Sequence, residues 1–215
     1  MNLASLLAAA LSRRERGTPA ERERLDARTL RRLARPLAVV YTDTADFTLR
    51  VARHGILHFL MVFARAVRTL RPLVARHRGR LVKVEADSLL FAFPDADTAC
   101  RAALAMAGGI ARLNRGRPAS ERVLFSFGIG FGEVLDLGHD LLGLEVNLAS
   151  KLGEDRARPG EILLTPGAVA ALPAALRRRL VPHGLARFTS RPMPVARLVS
   201  PAAGRRLNSR PDPRR

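Results

Sequence analysis

The sequence predicts an α+β fold, a ferredoxin-like sandwich with a mainly antiparallel sheet and helices packed on one face of it. Three observations carry that expectation. Short, β-rich apolar runs alternate with longer stretches of helical period. Two pairs of runs lie close enough together to form hairpins. The resulting order, β-α-β-β-α-β-β followed by αβαββ, mixes hairpins with helical crossovers, and no internal repeat is present.

Residues 1–36 are rich in Ala, Leu, Arg and Glu and read as helix, interrupted at Gly17, Thr18 and Pro19. Thr18-Pro19-Ala20-Glu21 fits an N-cap with Pro at the first helical position and Glu at the third. Leu37 to Asp43 is a short apolar run ending on an acid, a buried strand that delivers Asp43 to its C-terminal edge. From Val51 to His77 the residues Ile56, Leu60, Phe63, Val67, Leu70 and Val74 recur at helical spacing; Pro72 should bend or shorten that helix, and Gly79 should stop it. Arg80–Val84 and Ser88–Phe93 flank Glu85-Ala86-Asp87 as a hairpin with an acid at its tip.

Ala96 to Leu113 is a helix, and Asn114 to Ser120 a loop. Val123–Gly130 and Glu133–Leu137 read as a strand pair joined through Gly130-Phe131-Gly132. Glu145 to Leu152 is a short helix and Ile162–Thr165 a strand. Ala168–Leu180 is helical with an interruption at Pro173, and two last strands are expected near Ala186–Thr189 and Val195–Val199. The division is therefore a helical lead-in (1–36), one globular domain (37–200) and a basic, disordered tail (201–215).

Composition narrows the function classes. No apolar run approaches the ~20 residues of a membrane span, and the stretch Leu3–Leu11 is short, with its arginines after it, so it reads poorly as a secretory signal. A lone cysteine, Cys100, excludes an internal disulfide and fits a reducing, cytoplasmic setting. The net charge of +18 invites a nucleic-acid or anionic-surface partner. The arginines, however, are spread along the chain and densest at its ends, and a single tyrosine leaves little aromatic–basic interleaving for base stacking, so dedicated nucleic-acid binding is not expected. Of 37 basic residues only Lys83 and Lys151 are lysine. A lysine kept in such a background points to a chemical requirement.

Asp43 and Asp87 each end a predicted buried strand. Two acids so placed on neighbouring strands can share divalent ions, and paired metals can clamp a phosphoryl group; the same spacing also fits two acids capping their own turns. Tyr41-Thr42-Asp43-Thr44-Ala45-Asp46-Phe47-Thr48, Lys83-Val84-Glu85-Ala86-Asp87-Ser88, Gly128-Ile129-Gly130-Phe131-Gly132-Glu133-Val134 and the segment from Asp140 to Leu152 that contains Val146-Asn147-Leu148-Ala149-Ser150-Lys151 occur in that chain order. Together they resemble the signatures of the class III nucleotide cyclases, over residues 37 to 199.

The resemblance implies a palm-type domain and assigns roles. Asp43 and Asp87, with the carbonyl of Thr44, would hold two Mg²⁺ or Mn²⁺ ions per site. Backbone amides at Phe47 and Thr48, at a helix start, would receive phosphate. Lys83 and Asp140 would read adenine, hence ATP as substrate. Asn147 would orient the ribose and Lys151 would stabilise the transition state. The product would be 3′,5′-cyclic AMP, made in a homodimer whose two sites are shared between protomers. Taken alone, Lys83 also fits a strand-edge lysine, Asp140 a turn cap, and Asn147 with Lys151 an exposed helix pair. The sequence departs from the family pattern at Lys151, where arginine is usual, and at Asp46, Ala86 and Ser88, where glycine is usual. These departures also fit a cyclase-homology module that binds nucleotide or a protein partner without turnover.

Overall fold

The computed structural model describes residues 3–188 and 190–199. The predicted tail, 201–215, and Thr189, at the end of one predicted strand, lie outside the described residues. Two helices lead in: α1 (Leu3–Arg16) and α2 (Pro19–Leu33). The break between them is the predicted one. Thr18 Oγ1 accepts from the Glu21 amide at 3.4 Å, and Glu21 Oε2 accepts from the Thr18 amide at 2.8 Å, a complete capping box. Leu33 is buried where α2 meets the sheet.

The domain proper is an eight-stranded sheet with path order β2-β3-β1-β4-β6-β8-β7, plus β5 paired to β4. Its strands are β1 (Ala34–Thr44), β2 (Arg80–Glu85), β3 (Ser88–Phe93), β4 (Phe125–Asp136), β5 (Leu141–Leu142), β6 (Ile162–Leu164), β7 (Leu180–Ala186) and β8 (Met193–Leu198). Every pairing is antiparallel except β4 with β6. The central ladder pairs β1 with β4 from Ala34↔Leu135 to Thr44↔Phe125.

Between the strands lie α3 (Phe47–His54), α4 (Ile56–Arg76), α5 (Ala96–Leu113), α6 (Leu144–Lys151), α7 (Pro166–Ala170) and α8 (Ala174–Arg177). Alternation along β1 divides its side chains between two cores. Ala38 and Val40 join Phe91, Phe127 and Ile129 under α4 and α5. Val39 joins Leu90, Val134, Val146 and Ala149 under α6. Helices therefore cover both faces of the sheet, not the single face that the element order suggests. Among the described residues no helix is long and apolar enough to cross a membrane.

Several predicted boundaries move for identifiable reasons. The helix expected from Val51 starts at Phe47 and breaks at Gly55, whose φ of 84° no helix accommodates. Pro72 does not end α4. It lies on the exposed side, where the carbonyl of Arg68 that loses its partner reaches water. The segment read as two strands around Gly130-Phe131-Gly132 is one continuous strand, β4. Its glycines serve packing instead of turning the chain. A Cβ on Gly128 would sit 1.9 Å from the carbonyl oxygen of Ala149, and one on Gly130 would sit 2.5 Å from that of Glu145. The helix expected over 168–180 is split by Pro173 into α7 and α8 and ends at Arg177, so β7 begins earlier than the sequence suggests.

Candidate active site

Antiparallel pairing of β1 with β3 sets the geometry of the acids. The ladder aligns Thr42 with Leu89; continued toward the hairpin, it places Asp43 opposite Ser88 and Thr44 opposite Asp87. Each acid is accordingly bonded by the residue that follows the other. Ser88 Oγ donates to Asp43 Oδ1 at 2.9 Å, and Thr44 Oγ1 donates to Asp87 Oδ2 at 2.5 Å. Thr44 and Ser88 are themselves buried, so these hydroxyls fix the carboxylates rigidly.

Burial pushes the Asp43 carboxyl up to about 6, and the negative charges of Asp87 and Glu154 push the same way, against the Ser88 bond that lowers it. A carboxylate crowded by other carboxylates is one that a cation relieves. Among the described residues no group of three or more His, Cys, Asp or Glu gathers around a single point as a resident metal cage would. Two carboxylates held this way suit a hard divalent ion such as Mg²⁺ or Mn²⁺ that takes its remaining ligands from elsewhere.

Beside the acids, on the α6 face, lies a cleft of about 240 Å³ whose lining includes Tyr41, Lys83, Glu85, Ser88, Asp140, Asn147 and Glu154. Ser88 both lines it and bonds Asp43, so cleft and acid pair are contiguous. Lys83 Nζ stands 3.4 Å from Asp140 Oδ2 and 3.0 Å from Glu85 Oε2. Those two acids hold the lysine above its ordinary range, the Glu85 bond contributing most. Asp140 is steadied by the Leu141 amide, which donates to its other oxygen at 2.9 Å. Burial pushes the Tyr41 phenol upward, so the hydroxyl stays protonated.

The structure gathers some predicted residues and separates others. Lys83, Asp140 and Asn147 share the cleft. Asn147 and Lys151 share α6, yet Lys151 is exposed and pairs with Asp155 at 3.2 Å, one turn on, and it does not line the cleft. Phe47 and Thr48 open α3, with the Phe47 ring packed edge-on against Phe59 at 4.7 Å. Two of the positions where glycine is usual hold left-handed backbone: Asp46 at φ 62° and Ala86 at φ 50°. Sequence reasoning missed Glu85 and Glu154 as cleft residues. Glu154 was legible in principle, because it continues the spacing of Asn147 and Ser150 along one helix face. A π-helical turn, Leu152–Arg156, carries it.

No family model matches the chain. A curated protein of Rhizobium meliloti (strain 1021), named "Putative adenylate cyclase 3", is 30% identical over 137 residues, 64% of this chain. The chain spans 23% of that relative's length. Among solved structures, an adenylate/guanylate cyclase/hydrolase from Silicibacter pomeroyi superposes with a TM-score of 0.68 at 25% identity, over 77% of this chain and 97% of that one. These comparisons support a class III cyclase domain in this chain. The catalytic core of a rhodopsin-guanylyl cyclase with converted specificity, solved with ATPαS, shares the fold at TM-score 0.66 and 20% identity, over 78% of this chain and 98% of the other.

Proposed function

We propose that the cyclase domain converts ATP to 3′,5′-cyclic AMP and pyrophosphate, in a homodimer whose two sites each draw residues from both copies. The observation that carries this reading is that each copy holds both halves of such a site: a cleft lined by a lysine–carboxylate pair and Asn147, and two carboxylates held by Ser88 and Thr44 for cations, so that in the dimer the cleft of one copy would face the acids of the other. Adenine presents an amino donor and ring-nitrogen acceptors, which Asp140 and Lys83 match.

Each residue then has a task. Asp140, locked by the Leu141 amide, accepts from the adenine amino group, and Lys83 donates to a ring nitrogen. Asn147 holds the ribose, so that its 3′-hydroxyl faces the α-phosphorus. Amides at Phe47 and Thr48 receive the triphosphate at the positive end of α3. Asp43 and Asp87, with the Thr44 carbonyl, would hold two Mg²⁺ or Mn²⁺ ions, and such ions withdraw charge from the phosphates and acidify the hydroxyl. Lys151 must leave Asp155 to reach phosphate, and the pair is exposed enough for that to cost little.

A second reading is a domain that binds nucleotide or a partner without turnover. The tied-back Lys151 and the non-glycine residues at Asp46 and Ala86 favour it. Purified protein incubated with ATP or GTP and Mn²⁺ or Mg²⁺ separates the two. Cyclic AMP from the wild type, absent from Asp43→Ala and Asp87→Ala, is the expected result. A folded dimer that binds ATP and forms no product would transfer the assignment to the second reading.

A further inference from the structure

The lysine that reads the base is shared between two acids, and only one of them belongs to the adenine reading. Glu85 Oε2 lies closer to Lys83 Nζ, at 3.0 Å, than Asp140 Oδ2 does, at 3.4 Å. Glu85 also lines the same cleft. Its side chain is 64% exposed, against 29% for Asp140, and so is free to swing with a ligand. The cleft therefore presents acceptor, donor, acceptor in the order Asp140, Lys83, Glu85.

That row has two registers. Adenine offers an amino donor beside a ring-nitrogen acceptor and fits Asp140 with Lys83. Guanine offers its O6 acceptor, then N1–H and the 2-amino group as adjacent donors. It fits Lys83 with Glu85, one step along the row, with O6 taking the ammonium and both donors reaching one carboxylate. We propose that Glu85 is a base-specificity residue that opens this cleft to guanine nucleotides as well as ATP. The proposal rests on the cleft reading given above and goes beyond it by adding a second substrate class. In the adenine register Glu85 faces the adenine C2–H and only competes for Lys83. The residue thus favours guanine at the expense of adenine.

The test uses the full-length protein and measures ATP and GTP competing with a fluorescent ATP analogue at fixed Mg²⁺, for wild type, Glu85→Ala, Glu85→Gln and Asp140→Ala. The wild type should bind both nucleotides within about tenfold of each other. Glu85→Ala should weaken GTP roughly five- to tenfold, the low end for a bidentate base contact because the residue is exposed, and should leave ATP unchanged or tighter. Glu85→Gln, which keeps shape but loses charge, should fall between. Asp140→Ala should shift the ratio the other way. ATP binding with an ATP/GTP ratio unmoved by either Glu85 variant overturns this proposal and leaves the parent reading standing. Failure of the folded wild type to bind either nucleotide overturns both.

Discussion

Gly128→Ala is the sharpest test of how the sheet positions the site. Adding one methyl to β4 places a Cβ 1.9 Å from the carbonyl oxygen of Ala149 and 2.7 Å from the amide nitrogen of Gly153, where ordinary contact begins at 3.4 Å. Both obstacles are backbone, so no side chain can swing aside. The C-terminal end of α6 must retreat by roughly 1.5 Å, opening the packing of Ala149 and Leu152, both fully buried. Overpacking of this kind costs about 2–4 kcal/mol, a fall in Tm of roughly 4–16 °C for a chain this size. Because α6 also carries Asn147, turnover should fall with stability even at temperatures where the variant is folded. Gly108→Ala is the matched control. In α5 the nearest atom to its Cβ is a flexible arginine tip at 3.5 Å, and a helical glycine replaced by alanine should gain up to about 1 kcal/mol. Melts by circular dichroism and urea titration measure both. A Gly128→Ala variant within about 0.5 kcal/mol of wild type would refute the claim that α6 lies directly on the β4 backbone.

Two further predictions follow from the acid pair and its hairpin. Metal-free protein should show an unusual pH dependence from Asp43. Its carboxyl is raised from 3.8 to about 6 in the folded state, so the fold binds this proton more tightly than the unfolded chain does. Stability from this group is then full below about 4 and is lost as pH rises through 6. Melts from pH 4 to 8 should show Asp43→Asn gaining on wild type as pH rises; a constant difference would contradict the assignment. Ala86→Gly relieves a left-handed alanine worth about 1–2 kcal/mol, offset by the looser unfolded chain. Thermal melts should show a net rise in Tm of about 1–4 °C, and a fall would mean that the hairpin tip does not hold φ 50°.

Much of this architecture was legible in residues that act locally. The Thr18–Glu21 box, the hairpin around Asp87 and the helix from Ala96 to Leu113 depend on neighbours within a few positions, and each lies where the sequence places it. Gly130 and Gly132 were misread because a glycine needed for close packing looks, in one dimension, like a glycine needed for a turn. The acids Asp43 and Asp87 were visible as strand ends, but their cross-bonding through Ser88 and Thr44 depends on strand register, which sequence alone does not fix. Glu85 stayed hidden for a related reason. An exposed acid on a hairpin is unremarkable until Lys83 is seen beside it.

The most direct test of a shared catalytic site is complementation between two inactive variants. On the proposed reading, Asp87→Ala removes an acid that one copy would contribute, and Asn147→Ala removes the ribose-holding residue that the other would contribute. Each variant alone should form no cyclic AMP. Mixed in equal amounts and allowed to exchange subunits, half of the dimers pair one of each and keep one intact site, so activity should return to about a quarter of wild type. A mixture that exchanges subunits yet stays inactive, beside an active wild type, would contradict the shared site; appreciable activity from either variant alone would contradict the roles assigned to Asp87 and Asn147.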